Sequence, residues 1–151
     1  MKVKKIKIIS NNICYGPKSS PEDEVEQHLI ISSDGRVWFT GYNYAGGFGN
    51  YKVGRKSQFS IGKLIADKIL SLFSQYCIEE PLSCFATDIG EWEMIITDIE
   101  QKTYVFKGSL CGGVSAGDVD LTDYIREHIS IDDMFVFILS YNLIDLIYDY
   151  F

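Results

Sequence analysis

Five carboxylates fall within the thirteen residues from Asp88 to Glu100: Asp88, Glu91, Glu93, Asp98 and Glu100. A protonated and an ionised carboxyl flanking one bond are the machinery of glycoside hydrolysis. Glu91 and Glu93 alternate with Trp92 and Met94, however, which is also how a strand with one wet face reads. That simpler reading needs no chemistry. A second set is Ala45-Gly46-Gly47-Phe48-Gly49, which invites comparison with a phosphate-cradling loop. Such a loop feeds directly into a helix, whose terminal amides meet the phosphate. Here about ten residues precede the first helical pattern, and neither GxGxxG nor a GK[ST] ending is present. A third set is Cys111 beside Gly112-Gly113 with His128 downstream, a thiol and an imidazole that would need to meet in space to act. Lys52, Arg55, Lys56 and Lys63 among Tyr42, Tyr44, Phe48 and Tyr51 form the fourth. Rings beside cations suit single-stranded nucleic acid, but the acidic second half of the chain would repel a phosphate backbone.

The remaining cysteines, Cys14, Cys77 and Cys84, form no CxxC pair, and neither His28 nor His128 stands at metal-site spacing from a cysteine. No metal or cofactor is expected, and reduced, partly buried thiols are the simplest reading. The 151 residues suffice for one domain, 1–151, able to bury roughly 70% of its unfolded surface, with 140–151 as a C-terminal appendage. No run of about 18 apolar residues predicts a membrane span. Lys2 to Lys7 is not followed by an apolar segment of the signal-peptide kind. The expectation is a cytoplasmic protein.

Charge is uneven along the chain. Through Lys68 there are 11 Lys and Arg against 6 Asp and Glu; from Ile69 onward there are 3 against 15, and the whole carries −7. Such polarity bears on partners rather than fold.

These residues need elements to place them, and the clearest is a helix over Ser60 to Tyr76. Ile61, Leu64, Ile65, Ile69, Leu72, Phe73 and Tyr76 recur at helical spacing, with Ser60 as N-cap and with Ile65 and Phe73 expected in the core. Val3 to Ile9 alternates lysine with Val and Ile, which predicts a strand, placed at a sheet edge because edge lysines discourage aggregation. Ser10 to Gln27 reads as a polar connection. His28 to Ser32 and Val37 to Tyr42 flank Asp34-Gly35, a strong hairpin signal. Gly41 to Lys56 holds too many glycines for a regular element. A short strand is expected at Cys84 to Ala86. Trp92 to Asp98 and Thr103 to Gly108 form a second hairpin. Asp120 caps a helix from Leu121 to Ile129. Met134 to Leu139 is wholly apolar and predicts a strand buried on both faces. Leu143, Ile144, Ile147, Tyr150 and Phe151 predict a tail helix over Tyr141 to Phe151.

Leu29-Ile30-Ile31-Ser32 echoes Met94-Ile95-Ile96-Thr97, and Phe39-Thr40-Gly41 echoes Phe106-Lys107-Gly108. Each pair frames a hairpin followed by a glycine-rich stretch and a helix. The predicted class is therefore α+β: a mainly antiparallel sheet, built from two ββα units, with helices on one face. Ser33 to Asn43 (SDGRVWFTGYN), Lys102 to Gly112 (KTYVFKGSLCG) and Asp132 to Phe137 (DDMFVF) resemble segments of small bacterial α+β proteins of unassigned function. The resemblance spans Leu29 to Phe137 and implies a shared architecture but no activity.

Together these readings point away from an enzyme. The expectation is an acidic binding protein that occupies a basic surface on another protein. Inhibitors of nucleic-acid-handling host-defence proteins, such as the anti-CRISPR proteins carried by phage, have this character. Glu91, Glu93, Asp98 and Glu100, with Tyr42, Tyr44, Phe48 and Tyr51, are the candidate partner-binding residues. Nucleic acid and membrane are not expected as partners, and the C-terminal tail is where a homodimer would form. The alternatives are an enzymatic or small-ligand domain using the Gly-rich loop and Cys111, and a host immunity-type or housekeeping interaction module.

Overall fold

A computed structural model describes residues 1–13, 19–79, 89–110 and 114–137. Its main feature is a six-stranded, wholly antiparallel sheet of order β4-β3-β2-β1-β5-β6. The strands are β1 (Val3–Asn11), β2 (Glu24–Ser32), β3 (Arg36–Asn43), β4 (Lys52–Ser60), β5 (Glu91–Asp98) and β6 (Thr103–Ser109). Helix α1 (Lys63–Ile78) follows β4. A two-stranded ribbon, β7 (Ser115–Ala116) and β8 (Val119–Asp120), leads into helix α2 (Leu121–His128).

Both helices cover the same face. Ile6 and Ile8 of β1, Leu29 and Ile31 of β2, Val37 and Phe39 of β3, and Met94 and Ile96 of β5 point inward at strict two-residue spacing. They share one core with Ile69 and Phe73 of α1 and Leu121 and Ile125 of α2. The α+β class and the one-sided helix layer are as the sequence predicts. The two hairpins lie where Asp34-Gly35 and Ile99-Glu100-Gln101-Lys102 put them. At the first turn Gly35 has φ +94°, and a Cβ there would come within 2.8 Å of the Gly62 carbonyl carbon at the start of α1. Only glycine serves both the turn and the close approach. Asp120 caps α2 as expected, its side chain accepting from the Asp123 amide at 3.0 Å.

The differences are instructive. Strand β1 lies between β2 and β5 rather than at an edge. Its lysines mark a solvated face, which alternation produces in the middle of a sheet as readily as at its rim. Strand β2 begins at Glu24, four residues before the predicted start, so part of the expected polar connection is regular structure. The glycine-rich stretch returns the chain into β4, an exposed edge strand that its polar, alternation-poor sequence conceals. Because β4 runs to Ser60, α1 starts at Lys63, with Gly62 at φ 84° as its N-cap residue; the Ser60 hydroxyl accepts from the Gly62 amide instead of capping the helix. The buried stripe is Ala66, Ile69, Leu70, Phe73 and Tyr76. Ile65 is 37% exposed and Leu64 87%, so the expectation of Ile65 in the core is corrected. Ala66, unremarkable in a hydrophobic pattern, occupies the tight contact instead.

Met134 to Phe137 is buried, but it is not a strand. Asp133 and Phe137 take φ of 56° and 63°, which no strand tolerates. Gln27 on β2 holds this segment: its Oε1 accepts from the Phe135 amide at 2.9 Å, and its Nε2 donates to the Asp133 carbonyl at 2.8 Å. Phe137 then packs edge-on against Trp92, centroids 5.1 Å apart. Residues 138–139 of the expected strand, the strand at Cys84 to Ala86 and the tail helix lie outside the described residues.

Candidate functional site

With both helices on one face, the opposite face of the sheet is open among the described residues. Alternation sets which side chains it shows, and register sets their rows. Toward one end, Asn11 of β1 is paired with Glu26 of β2 and Glu91 of β5. In the next row Ile9 lies between His28 and Glu93. The third row places Lys7 between Ile30 and Ile95, continuing outward to Trp38 and Val105. In the last, Lys5 lies between Ser32 and Thr97. Neighbouring strands are about 4.8 Å apart and successive rows about 6.7 Å. Glu26, Glu91 and Glu93 thus lie toward one end, with Lys107 beside Glu93, and Lys5 toward the other, while Lys7 stands within an otherwise apolar row.

The acidic end is tied together by hydrogen bonds. His28 Nε2–H donates to Glu26 Oε2 at 3.0 Å, and its ring lies 4.6 Å from that of Tyr42. Asn11 Nδ2 donates to Glu26 Oε1 at 3.4 Å and to the Tyr51 hydroxyl at 3.2 Å. The second bond fastens the glycine-rich loop to the sheet. Within that loop the Tyr51 ring sits 6.4 Å from Tyr44 and 6.3 Å from Phe48. Phe48 itself is 76% exposed and overhangs a cleft of about 270 Å³ that it shares with Ile9, Glu26, Glu91 and Glu93. Lys107 approaches Glu93 at 3.6 Å. The Glu26 carboxyl is held below its ordinary value chiefly by the His28 hydrogen bond, with Asn11 and the charges of His28 and Lys7 adding to it against the opposing effect of burial. Glu26 therefore stays ionised near neutral pH, as an electrostatic site requires.

Six of the eight candidate residues converge here: Glu91, Glu93, Tyr42, Tyr44, Phe48 and Tyr51. Asp98 and Glu100 do not. They stand at the far end of β5, roughly 23 Å away along an eight-residue strand. Asp98 is 7% exposed, and its Oδ1 accepts from the amides of Glu100 and Lys102 at 2.9 Å each, so this carboxylate organises the β5–β6 turn. Glu26, His28 and Asn11 were not among the candidates. The alternation of Glu24-Val25-Glu26-Gln27-His28-Leu29 carries the signal of Glu26 and His28, but a strand started at His28 cuts it off, and Asn11 lies two residues beyond the predicted end of β1.

The other constellations are placed differently. Ala45 to Gly49 connects β3 to β4 and does not lead into a helix. Arg55 forms a two-pronged pair with Glu24, Nε to Oε2 at 2.8 Å and Nη2 to Oε1 at 2.7 Å, and stacks over Phe39 on the helix side of the sheet. Lys63 pairs with Asp67 at 3.0 Å. Those two cations are thus committed within the fold. His128 Nδ1–H donates to the Tyr124 carbonyl at 2.8 Å, and its ring stacks on that tyrosine. Cys111 lies outside the described residues, as do Cys14 and Cys84. The half-buried Cys77 thiol is pushed up in pKa by burial. Among the described residues no three His, Cys, Asp or Glu side chains gather as a metal site, and no helix is long and apolar enough to cross a membrane. No protein-family model matches this chain, and neither does any curated protein.

Proposed function

We propose that the protein is a non-enzymatic binding protein that offers the acidic, aromatic end of its open sheet face to a basic surface on another protein. The observation that carries this reading is the convergence of Glu26, Glu91 and Glu93 with the exposed Phe48 ring and Tyr51 at one end of the sheet. Carboxylates of one sign on a shared surface attract and orient a cationic partner before contact. Exposed aromatic side chains then supply contact area at little cost in side-chain entropy. Basic surfaces are characteristic of proteins that grip phosphate backbones. Occupying one would block a nucleic-acid-handling host-defence protein, and this is the form of inhibition we favour.

A synthetic arginine-rich peptide serves as the probe, with association followed by surface plasmon resonance. Raising salt from 0.1 to 1 M shortens the screening length from about 10 to about 3 Å and should slow association strongly. The double variant Glu91→Lys/Glu93→Lys should slow it by about tenfold or more, while reversal of Glu100 and Asp67, one beyond the far end of β5 and the other on α1, should change it little. Equal small effects from both sets, without salt dependence, would leave these carboxylates as solvation only.

A further inference from the structure

The two rims of the sheet are built differently. Strand β4 carries Lys52, Arg55 and Lys56, and its register with β3 shifts between Thr40 and Tyr42. Charge and irregularity of this kind keep an edge from pairing with another chain. The opposite rim, β6, keeps an unbroken register with β5 and runs through Thr103, Tyr104, Val105 and Phe106 before its first charge, Lys107. That lysine already has Glu93 beside it at 3.6 Å. Val105 is 55% exposed, and among the described strands β6 pairs only with β5.

Hydrogen bonds at both ends of the β5–β6 pair fix which main-chain groups face outward. The Asp98 amide donates to the Lys102 carbonyl at 3.0 Å, and the Leu110 amide to the Gly90 carbonyl at 2.7 Å. Alternation from either end turns Tyr104, Phe106 and Gly108 toward β5, and Thr103, Val105 and Lys107 away from it. The open length stops there, since Gly108 and Ser109 are buried while 103–107 alternates exposed and half-buried residues. Val105 is the midpoint of that open edge.

We infer that two copies of this chain pair β6 to β6, antiparallel, about a two-fold axis through Val105 and normal to the sheet. An isologous contact needs one patch that matches its own image, and this edge does. Val105 meets Val105 of the second copy, and Thr103 meets its Lys107, each pair exchanging main-chain hydrogen bonds. On the helix side Tyr104 meets Phe106 of the second copy, a cross-strand aromatic pair. Like charges are nowhere opposed. Outward groups must meet outward groups, so the register slides only by two residues. One slide leaves Lys107 opposite the β5–β6 turn and shortens the pairing. The other sets Thr103 against the buried Ser109.

The contact is small, about 17 Å of edge with five residues a side, where a standard interface uses about 20–30. A weak equilibrium follows, with a dissociation constant on the order of 100 µM. The dimer turns both open faces to one side of a continuous sheet. Its two Glu93 positions lie about 20 Å apart, three strand spacings across and four residues along. One basic partner can then engage both acidic clusters, a consequence that rests on the function proposed above, whereas the dimer itself does not.

Sedimentation equilibrium of the full chain from about 10 to 500 µM reads the association, and hydrogen exchange at the two limits reads its place. The amides of Thr103, Val105 and Lys107 should exchange about threefold more slowly at the upper limit, with those of β4 unchanged. Val105→Lys, at an exposed position, sets like charges face to face and should raise the dissociation constant by about tenfold or more. Thr103→Glu places a carboxylate opposite Lys107 of the second copy and should lower it. Circular dichroism checks the fold of each variant. A monomer up to 500 µM overturns the inference and leaves this edge to some other extended chain. So does a dimer indifferent to Val105→Lys, one that Thr103→Glu weakens, or one whose added protection falls outside β6. If the dimer holds but the arginine-rich peptide does not bind, the functional proposal falls and the dimer stands.

Discussion

Glu26 links stability to pH in a way that can be measured. Its carboxyl lies below the ordinary value of 4.5 in the folded chain, first because of His28. A depressed folded-state pKa contributes stability that is present above 4.5 and lost as pH falls through the lower folded value. Glu26→Gln should therefore narrow the gap in urea midpoint between about pH 6 and pH 3 relative to the parent chain. An unchanged gap would mean that the His28 bond contributes nothing in solution. Gly41 is another case where one residue decides a neighbourhood. A Cβ at this position would collide with the Glu24 carboxylate that Arg55 grips. Sequence marks such a glycine only as a helix or strand breaker; the ion pair it admits comes from 31 residues apart.

Among elements, α1 shows how far periodicity reaches. Phe73 is fully buried against Phe137, while Leu64, nine residues earlier, is 87% exposed. Phe73→Ala should cost about 3–5 kcal/mol in chemical denaturation. Leu64→Ser should stay within about 0.5 kcal/mol, as surface changes do. Comparable losses at both positions would refute the placement of the buried stripe. Nine residues at about 100° each put Leu64 half a turn from Phe73, so a stripe extended back to Leu64 has left the buried face, which runs through Ala66, Ile69, Leu70, Phe73 and Tyr76. The lysines of β1 carry the same lesson, since alternation reports a wet face and says nothing about neighbours on either side.

At the scale of the molecule, the basic and acidic halves partly separate and partly interleave. Strands β1 to β4 are contiguous, with β5 and β6 beside them. The 132–137 segment, however, crosses back to Gln27 on β2, bringing Asp132 and Asp133 near Arg55. Strand β1, paired on both sides and packed under α1, should form the most protected part of the sheet in native-state hydrogen exchange. The amides of β4, paired only with β3 among the described strands, should exchange much faster. Equal protection would contradict this order of strands.

Local patterns determined much of this protein in advance. They include the α+β class, both hairpins, the cap of α2, and the aromatic and acidic residues available for a surface. Each depends on residues a few positions apart, where turn chemistry, capping and alternation act directly. Tertiary structure alone decided that β1 is central, that the glycine-rich stretch leads to an edge strand, and that Met134 to Phe137 turns under the sheet through Gln27. It also divided the carboxylates of β5, sending Glu91 and Glu93 to the aromatic loop and Asp98 to a turn. Pairing between strands distant in sequence made those choices, because register sets which outward side chains share a row, and no local period encodes register.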